Sequence, residues 1–210
     1  MNHIVLLGDS IFDNASYVEG GPDVRAQLQQ RLSKEWKVTL LAVDGSTTQD
    51  FHFQLPRLPS DTSHIIISSG GNDALEYMNF LYEGAKSVAD VLDRLAGIAE
   101  RFEKKYHQML VNVLSLGLPT AVCTIYYPRF PDPMLQRIAV TALTVFNDCI
   151  ISEAFATGIP LLDLRLICNE DRHYANPIEP SVAGGAKIVE AIAKLLLEHD
   201  FNNRRTQVFI

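Results

Sequence analysis

Residues 3–10 read "HIVLLGDS", an apolar run that passes directly into a glycine, an acid and a serine. Consecutive apolar residues without polar alternation are the pattern of a strand covered on both faces, as in a parallel sheet. Gly8, Asp9 and Ser10 are turn and helix-capping types, so the stretch reads as a strand that ends in a tight strand-to-helix turn. Four further runs share this character: "KVTLLAV" at 37–43, "HIIISS" at 64–69, "TAVCTIY" at 120–126 and "IPLLDL" at 159–164. Helical patterns separate them at about 21–34, 87–115, 133–157 and 182–199. Gly117-Leu118-Pro119 and Gly158-Ile159-Pro160 each stop a helix just ahead of a strand. The alternation predicts βαβ units and a three-layer α/β/α sandwich around a central, mostly parallel five-stranded sheet. No repeat, linker or low-complexity tract interrupts it, and residues 1–210 are expected to form one domain.

Composition narrows the function. The chain has 210 residues, 47% of them apolar, enough to bury a substantial core. Its formal charge of -7 provides no basic footprint for a phosphate backbone or an anionic bilayer, so neither nucleic acid nor stable membrane insertion is expected. The strand-like run begins almost at Met1, with no charged n-region, apolar h-region or small-residue cleavage site ahead of it, and a soluble, cytoplasmic protein is expected. Cys123, Cys149 and Cys168 are odd in number, lack metal-ligand spacing and sit among apolar residues, which suits reduced core thiols.

In a sheet of this type, ligand chemistry collects at the carboxyl ends of the strands. The turns there are Gly8-Asp9-Ser10, Asp44-Gly45-Ser46-Thr47-Thr48, Gly70-Gly71-Asn72-Asp73 and Tyr126-Tyr127-Pro128-Arg129. Together they offer a serine hydroxyl, glycine N–H groups open to close approach, and an asparagine amide. A serine that attacks an ester carbonyl needs donors aimed at the oxyanion it creates, and these groups are suitable. Each also has a local explanation: helix capping for Ser10, a simple turn for Gly45 and an Asx-turn for Asn72.

These residues resemble the SGNH hydrolases, also called GDSL esterases and lipases. Gly8, Asp9 and Ser10 match the first block of that family, with Ile11 where Leu is usual; Gly45 matches the second, and Gly70, Asn72 and Asp73 match the third. The resemblance extends from residue 3 through the last helix, and implies the flavodoxin-like SGNH hydrolase fold and ester hydrolysis. It makes Ser10 the nucleophile, and the Ser10 N–H, Gly45 N–H and Asn72 side chain the oxyanion hole.

The fourth block departs from the family, which usually places Asp-x-x-His just before the last helix. Here the stretch is "CNEDRHYANPIEPSVAGGAKIVEAIAKLL". The family's His is commonly followed five residues later by a glycine, and counting back from Gly184 reaches Glu179, with Asn176 in the Asp position. Counting by motif instead finds Glu170 three residues ahead of His173, six positions early. An unperturbed imidazole titrates near ~6.5 and a glutamate near ~4.3, so His173, oriented by Glu170, is expected to be the better base, while burial could raise Glu179 into the same range. Plainer roles exist for both: an exposed loop histidine for His173, and a charge favoured by the dipole of the following helix for Glu179. His3, His64, His107 and His199 lie on strands or helices away from the turns, and His52 could line the pocket.

The family acts on many esters and does not select among them. Residues 73–82, "DALEYMNFLY", and 126–133, "YYPRFPDP", are expected to supply the pocket walls, although most of their side chains suit ordinary packing as well. No metal cluster, phosphate loop or dinucleotide motif is present in the sequence, and no cofactor is expected. Two functions follow: a serine hydrolase acting on a small-molecule ester with a modified base, or an SGNH-fold binding protein that has lost its proton acceptor. The sequence leaves the oligomeric state open.

Overall fold

The computed structural model describes residues 1–210. The elements run β1 (Asn2–Gly8), α1 (Val24–Arg31), β2 (Trp36–Leu40), α2 (Phe51–Gln54), β3 (His64–Ser68), α3 (Gly71–Leu75), α4 (Val88–Leu114), β4 (Thr120–Cys123), α5 (Pro133–Thr157), β5 (Leu161–Leu162), α6 (Leu164–Ile167), α7 (Val182–Glu198) and β6 (Val208–Phe209). The strands form one sheet in the order β2-β1-β3-β4-β5-β6, every pair parallel. The α/β architecture is as expected from sequence. The sheet has six strands rather than five, because Leu161 and Leu162 pair with Val208 and Phe209 near the carboxyl terminus.

Alternation along the strands builds two cores. Ile4, Leu6 and Ile66 face α1 and α7, where they meet Val24, Leu28, Ile188 and Ile192. Val5, Leu7, Ile65 and Ile67 face the other way, onto Phe102 and Leu110 of α4 and Phe146 and Ile150 of α5. Both faces of β1 and β3 are therefore buried, which explains their unbroken apolar runs. Cys123 and Cys168 are buried and Cys149 half-buried, and all three are free thiols. α5, 25 residues long with an 18-residue stretch of mean hydropathy 1.5, is long and apolar enough to cross a membrane. In this fold it packs against the sheet through Phe146, Ile150 and Ala154, and its buried Asn147 clamps the turn after β4 by bonding both the N–H and the C=O of Ile125.

The long helices begin where capping chemistry directs. Ser87 accepts from the Asp90 N–H, Asp132 from the Leu135 N–H ahead of Pro133, and Ser181 from the Gly184 N–H. Strand order reverses at β1, which lies between β2 and β3, and the carboxyl end of β1 is Gly8. The switch point of the sheet thus falls beside Ser10.

Candidate active site

Gly8 has φ +125°, and a Cβ there would lie 1.7 Å from the Ser68 carbonyl oxygen, so only glycine lets β1 pass β3 at this point. Gln54, fully buried on α2, locks the crossing: its Oε1 accepts from the Gly8 N–H at 2.8 Å and its Nε2 donates to the Gly8 C=O at 2.8 Å. Ser10 then projects from the turn, and its hydroxyl donates to Glu179 Oε1 at 3.1 Å.

The second and third turns are tied to each other by the residues that the resemblance singled out. Asn72 Nδ2 donates to the Ser46 C=O at 2.9 Å, and Asp73 accepts from both the N–H and the hydroxyl of Thr48, at 2.9 and 2.7 Å. Gly45 adopts φ +80° in the turn ahead of them. Neither the Ser10 N–H nor the Gly45 N–H donates to any acceptor within the chain, and one Asn72 amide hydrogen is left over after the bond to Ser46. Tyr17 OH donates to Asp44 Oδ2 at 2.7 Å, and the Asp44 N–H donates to Asp13 Oδ2 at 3.0 Å. The arm that follows Ser10 is thereby fastened to the Gly45 turn.

Glu179 sits on a closed loop. Tyr174 and Pro180 form an antiparallel bridge, and the Ala175 N–H donates to the Glu179 C=O at 2.9 Å. Asn176 Oδ1 accepts from the N–H groups of Ile178 and Glu179, an Asx-turn that sets the direction of the backbone at Glu179. Two bonds from elsewhere fix the loop against the sheet: Tyr126 OH to the Ile178 C=O at 2.6 Å, and Asn14 Nδ2 to the Pro180 C=O at 3.2 Å. Asn14 is fully buried and also accepts from the Val24 N–H, so a single side chain joins the Ser10 arm, the start of α1 and the Glu179 loop.

Glu179 is 5% exposed and its Oε2 has no partner. Burial pushes its carboxyl up to about 7, against a weaker downward pull from the Ser10 hydroxyl and a small further push from the Asp44 charge. Asp9 is likewise raised to about 7, chiefly by burial.

His173 lies elsewhere. It is 2% exposed rather than a solvated loop residue, and its Nδ1 accepts from the Glu170 N–H at 3.2 Å. Burial lowers its imidazole below the ordinary value. The Glu170 carboxylate faces Arg172 at 2.8 Å. The carbonyl of His173 packs so closely on α7 that a Cβ at Gly184 would come within 2.1 Å of it. Ser10 and Glu179 line a shared cavity, whereas His173 and Glu170 do not. Glu170, Asp171 and His173 thus form a 3-10 turn that supports the start of α7, and Asn176, in the family's Asp position, holds backbone instead of an imidazole.

The cavity has about 960 Å³ of empty space, its mouth included. Of the wall residues expected from sequence, Leu75, Tyr77, Met78, Phe80, Leu81, Tyr126 and Phe130 line it; Tyr82, Tyr127 and Arg129 do not. Gln54 and Asn14 are supports that sequence reasoning missed, and Tyr126, expected only as a wall residue, also anchors the Glu179 loop. All three act through backbone groups 46 to 166 positions away, and nothing local marks them.

Residues 6–187 match the profile of the GDSL-like Lipase/Acylhydrolase family, and the chain belongs to that family. It is on that ground an ester-cleaving hydrolase of the esterase/lipase type, with small-molecule esters as its substrates. No curated protein sequence matches it. Among solved structures it is similar to an extracellular lipase from Streptomyces rimosus, at 16% identity and a TM-score of 0.65, over 92% of this chain and 99% of that one. Phospholipase A1 from Streptomyces albidoflavus is similar at 19% identity and a TM-score of 0.65, over 92% and 98% of the two chains. A lipase/acylhydrolase from Enterococcus faecalis follows at 20% identity and a TM-score of 0.59, over 92% and 96%. At these identities the likeness is one of fold.

Proposed function

We propose that the chain cleaves carboxylic esters through an acyl-enzyme on Ser10, with Glu179 in place of the family's histidine as general base. The observation that carries this reading is the 3.1 Å hydrogen bond from the Ser10 hydroxyl to the buried Glu179 carboxylate. A solvated glutamate is too weak a base for a serine hydroxyl. One that burial has moved to about 7 has a proton affinity suited to neutral pH. Between the two registers open in the sequence, this favours the one counted back from Gly184.

As Ser10 Oγ attacks the ester carbonyl, its proton passes to Glu179. The oxyanion is held by the Ser10 N–H, the Gly45 N–H and the remaining Asn72 amide hydrogen, donors that the turns hold in place beforehand. Protonated Glu179 returns the proton to the departing alcohol and leaves acyl-Ser10. Water then gives a proton to Glu179 as it attacks the acyl carbon, and Ser10 recovers that proton when the acid departs. Glu179 has no cation partner, so its charge is available for the proton rather than neutralised in an ion pair.

One observation favours the other reading, a binding protein: no imidazole meets Ser10. Turnover of a short-chain aryl ester separates the two. Under the hydrolase reading, a fluorophosphonate probe labels wild type and not Ser10→Ala. The kcat/KM profile climbs with pH through about 7, because Glu179 must be ionised to accept the proton. That limb disappears in Glu179→Gln and persists in His173→Gln. Labelling of Ser10→Ala, or a limb lost only in His173→Gln, overturns the assignment.

A further inference from the structure

Family membership does not select an acyl group. The cavity beside Ser10 does. It runs from Ser10 and Glu179 between α4 and α5, where Leu95 and Ile98 face Ala139, Ala142, Leu143 and Phe146. Ile98 and Phe146, each 3% exposed, form its floor. From Ala139 to Phe146 it follows roughly 10 Å of the α5 axis, at ~1.5 Å per residue. Its charged residues, Asp9 and Glu179, are confined to the Ser10 end, and no Lys, Arg or His lines it. Two buried polar atoms on its wall, Ser69 Oγ and Glu179 Oε2, have no partner in the protein. Buried polar atoms are rarely left unpaired, since each costs on the order of 1–3 kcal/mol. This pair suits an ester at that end of the cavity, its oxygens accepting from the Ser69 hydroxyl and the attacking water or departing alcohol giving an O–H to Glu179.

We infer that this cavity is the acyl site of the proposed hydrolase and that it takes a long, unbranched, uncharged aliphatic chain, with the ester group at Ser10 and the chain between α4 and α5. An acetyl group would leave most of the apolar wall uncovered. An acyl tail ending in a carboxylate would find no cation there, and burying an unpaired charge is prohibitive. Methylenes match the wall. Each one fully buried favours the longer ester by about fourfold in kcat/KM, the ratio equivalent to about 0.8 kcal/mol per CH2. Ala139 and Ala142 create the room, because larger side chains at these positions would project into the space between the helices.

The test compares aryl esters of acetic, butanoic and octanoic acid on wild type and Ala142→Phe, with calorimetric titration of the neutral, unreactive dodecanamide into both. On wild type we expect kcat/KM to rise at least about a hundredfold from acetyl to octanoyl, within what about fourfold per methylene allows. Ala142→Phe should lower the octanoyl-to-acetyl ratio by at least about tenfold, and weaken dodecanamide at least as much, if its ring removes two or more methylenes' worth of burial. A flat chain-length series, or dodecanamide that binds wild type and Ala142→Phe equally, overturns the acyl-site assignment even if acetyl esters are cleaved. Should none of these esters turn over while dodecanamide binds wild type and is lost in Ala142→Phe, the catalytic reading of Ser10 and Glu179 fails and the chain site stands.

Discussion

The two halves of the candidate site are built by different means. On the proposed oxyanion side, Gly8, Gly45 and Asn72 sit at turns only a few residues long, each held by backbone geometry or a bond to the adjoining turn. On the proposed base side, Glu179 reaches Ser10 through a loop of several residues that is closed on itself and pinned by Tyr126 and Asn14 from other parts of the chain. Local rules specify the first half; contacts distant in sequence specify the second. A family resemblance therefore points directly to the proposed donors and leaves the proposed proton acceptor to the path of a loop.

This contrast can be broken at several points. The largest effect expected is that of Glu179→Gln, which keeps the shape of the side chain and removes its basicity, lowering kcat by about 10²–10⁴-fold. Steady-state rates across pH 5–9 check it, and a loss under about tenfold would remove Glu179 from the base position. Next comes Asn72→Ala. Loss of one oxyanion donor costs ~2.7–4 kcal/mol of transition-state stabilisation, a fall of roughly 10²–10³ in kcat with little change in KM. The variant also frees the Ser46 carbonyl, so a thermal melt must accompany the kinetics, and an unchanged kcat in a folded variant excludes the amide from the site.

Tyr126→Phe sharpens the comparison on the base side. It leaves the ring in place and deletes only the hydroxyl bond to the Ile178 carbonyl, next to Glu179 in the chain. A positioning hydrogen bond of about 1 kcal/mol predicts a fall of roughly fivefold in kcat. If Glu179 were held by its own loop alone, kcat would not move.

The smallest effect is on stability, and its sign is set by the raised carboxyl of Glu179. Folding shifts this group from 4.5 to about 7, so the native state favours the protonated form. Stability is undiminished below pH 4.5, declines as pH rises towards about 7 and stays lower above it. Glu179→Gln should therefore melt higher than wild type at pH 8, by on the order of 1–3 kcal/mol, and the two should converge at pH 4. Melting curves at both values decide it; an equal difference at pH 4 and pH 8 would mean that titration of Glu179 is not its source.

Much of the fold was legible in the sequence because its elements announce themselves. The helices over 88–114, 133–157 and 182–198 are long, periodic and capped, and the sequence places each within one residue of its observed ends. Strands fared less well at their carboxyl ends, where the strand-like "TAVCTIY" runs on for three residues after pairing stops at Cys123. The sixth strand has only two residues, and its membership in the sheet depends on the partner Leu161–Leu162 rather than on any pattern of its own. Helices of four or five residues such as α2, α3 and α6 fall below the length at which periodicity can be seen.

The same division holds within the site. Gly8, Gly45 and Asn72 were nameable because turn chemistry restricts residue type. The sequence weighed His173 against Glu179 by their unperturbed acidities, which favoured imidazole. Our proposal departs from that weighing because burial raises the glutamate and removes the advantage, and burial is set by the path of the 174–180 loop. Gln54 and Asn14, polar residues at the centre of the molecule, look like surface residues in a single sequence, since what they satisfy lies far along the chain.

A carboxylate base has a consequence for chemical inhibition. Reagents that carbethoxylate imidazole disable serine hydrolases whose base is histidine; in this chain they would find the exposed rings of His52 and His107, neither of which lines the Ser10 cavity, and leave turnover intact. Carbodiimides, which activate protonated carboxyl groups, are the opposite case. A glutamate that is still half protonated at about 7 and opens onto an apolar cavity is a better target than the fully ionised acids of the surface, and a hydrophobic carbodiimide should silence the protein at a pH where a hydrophilic one does not.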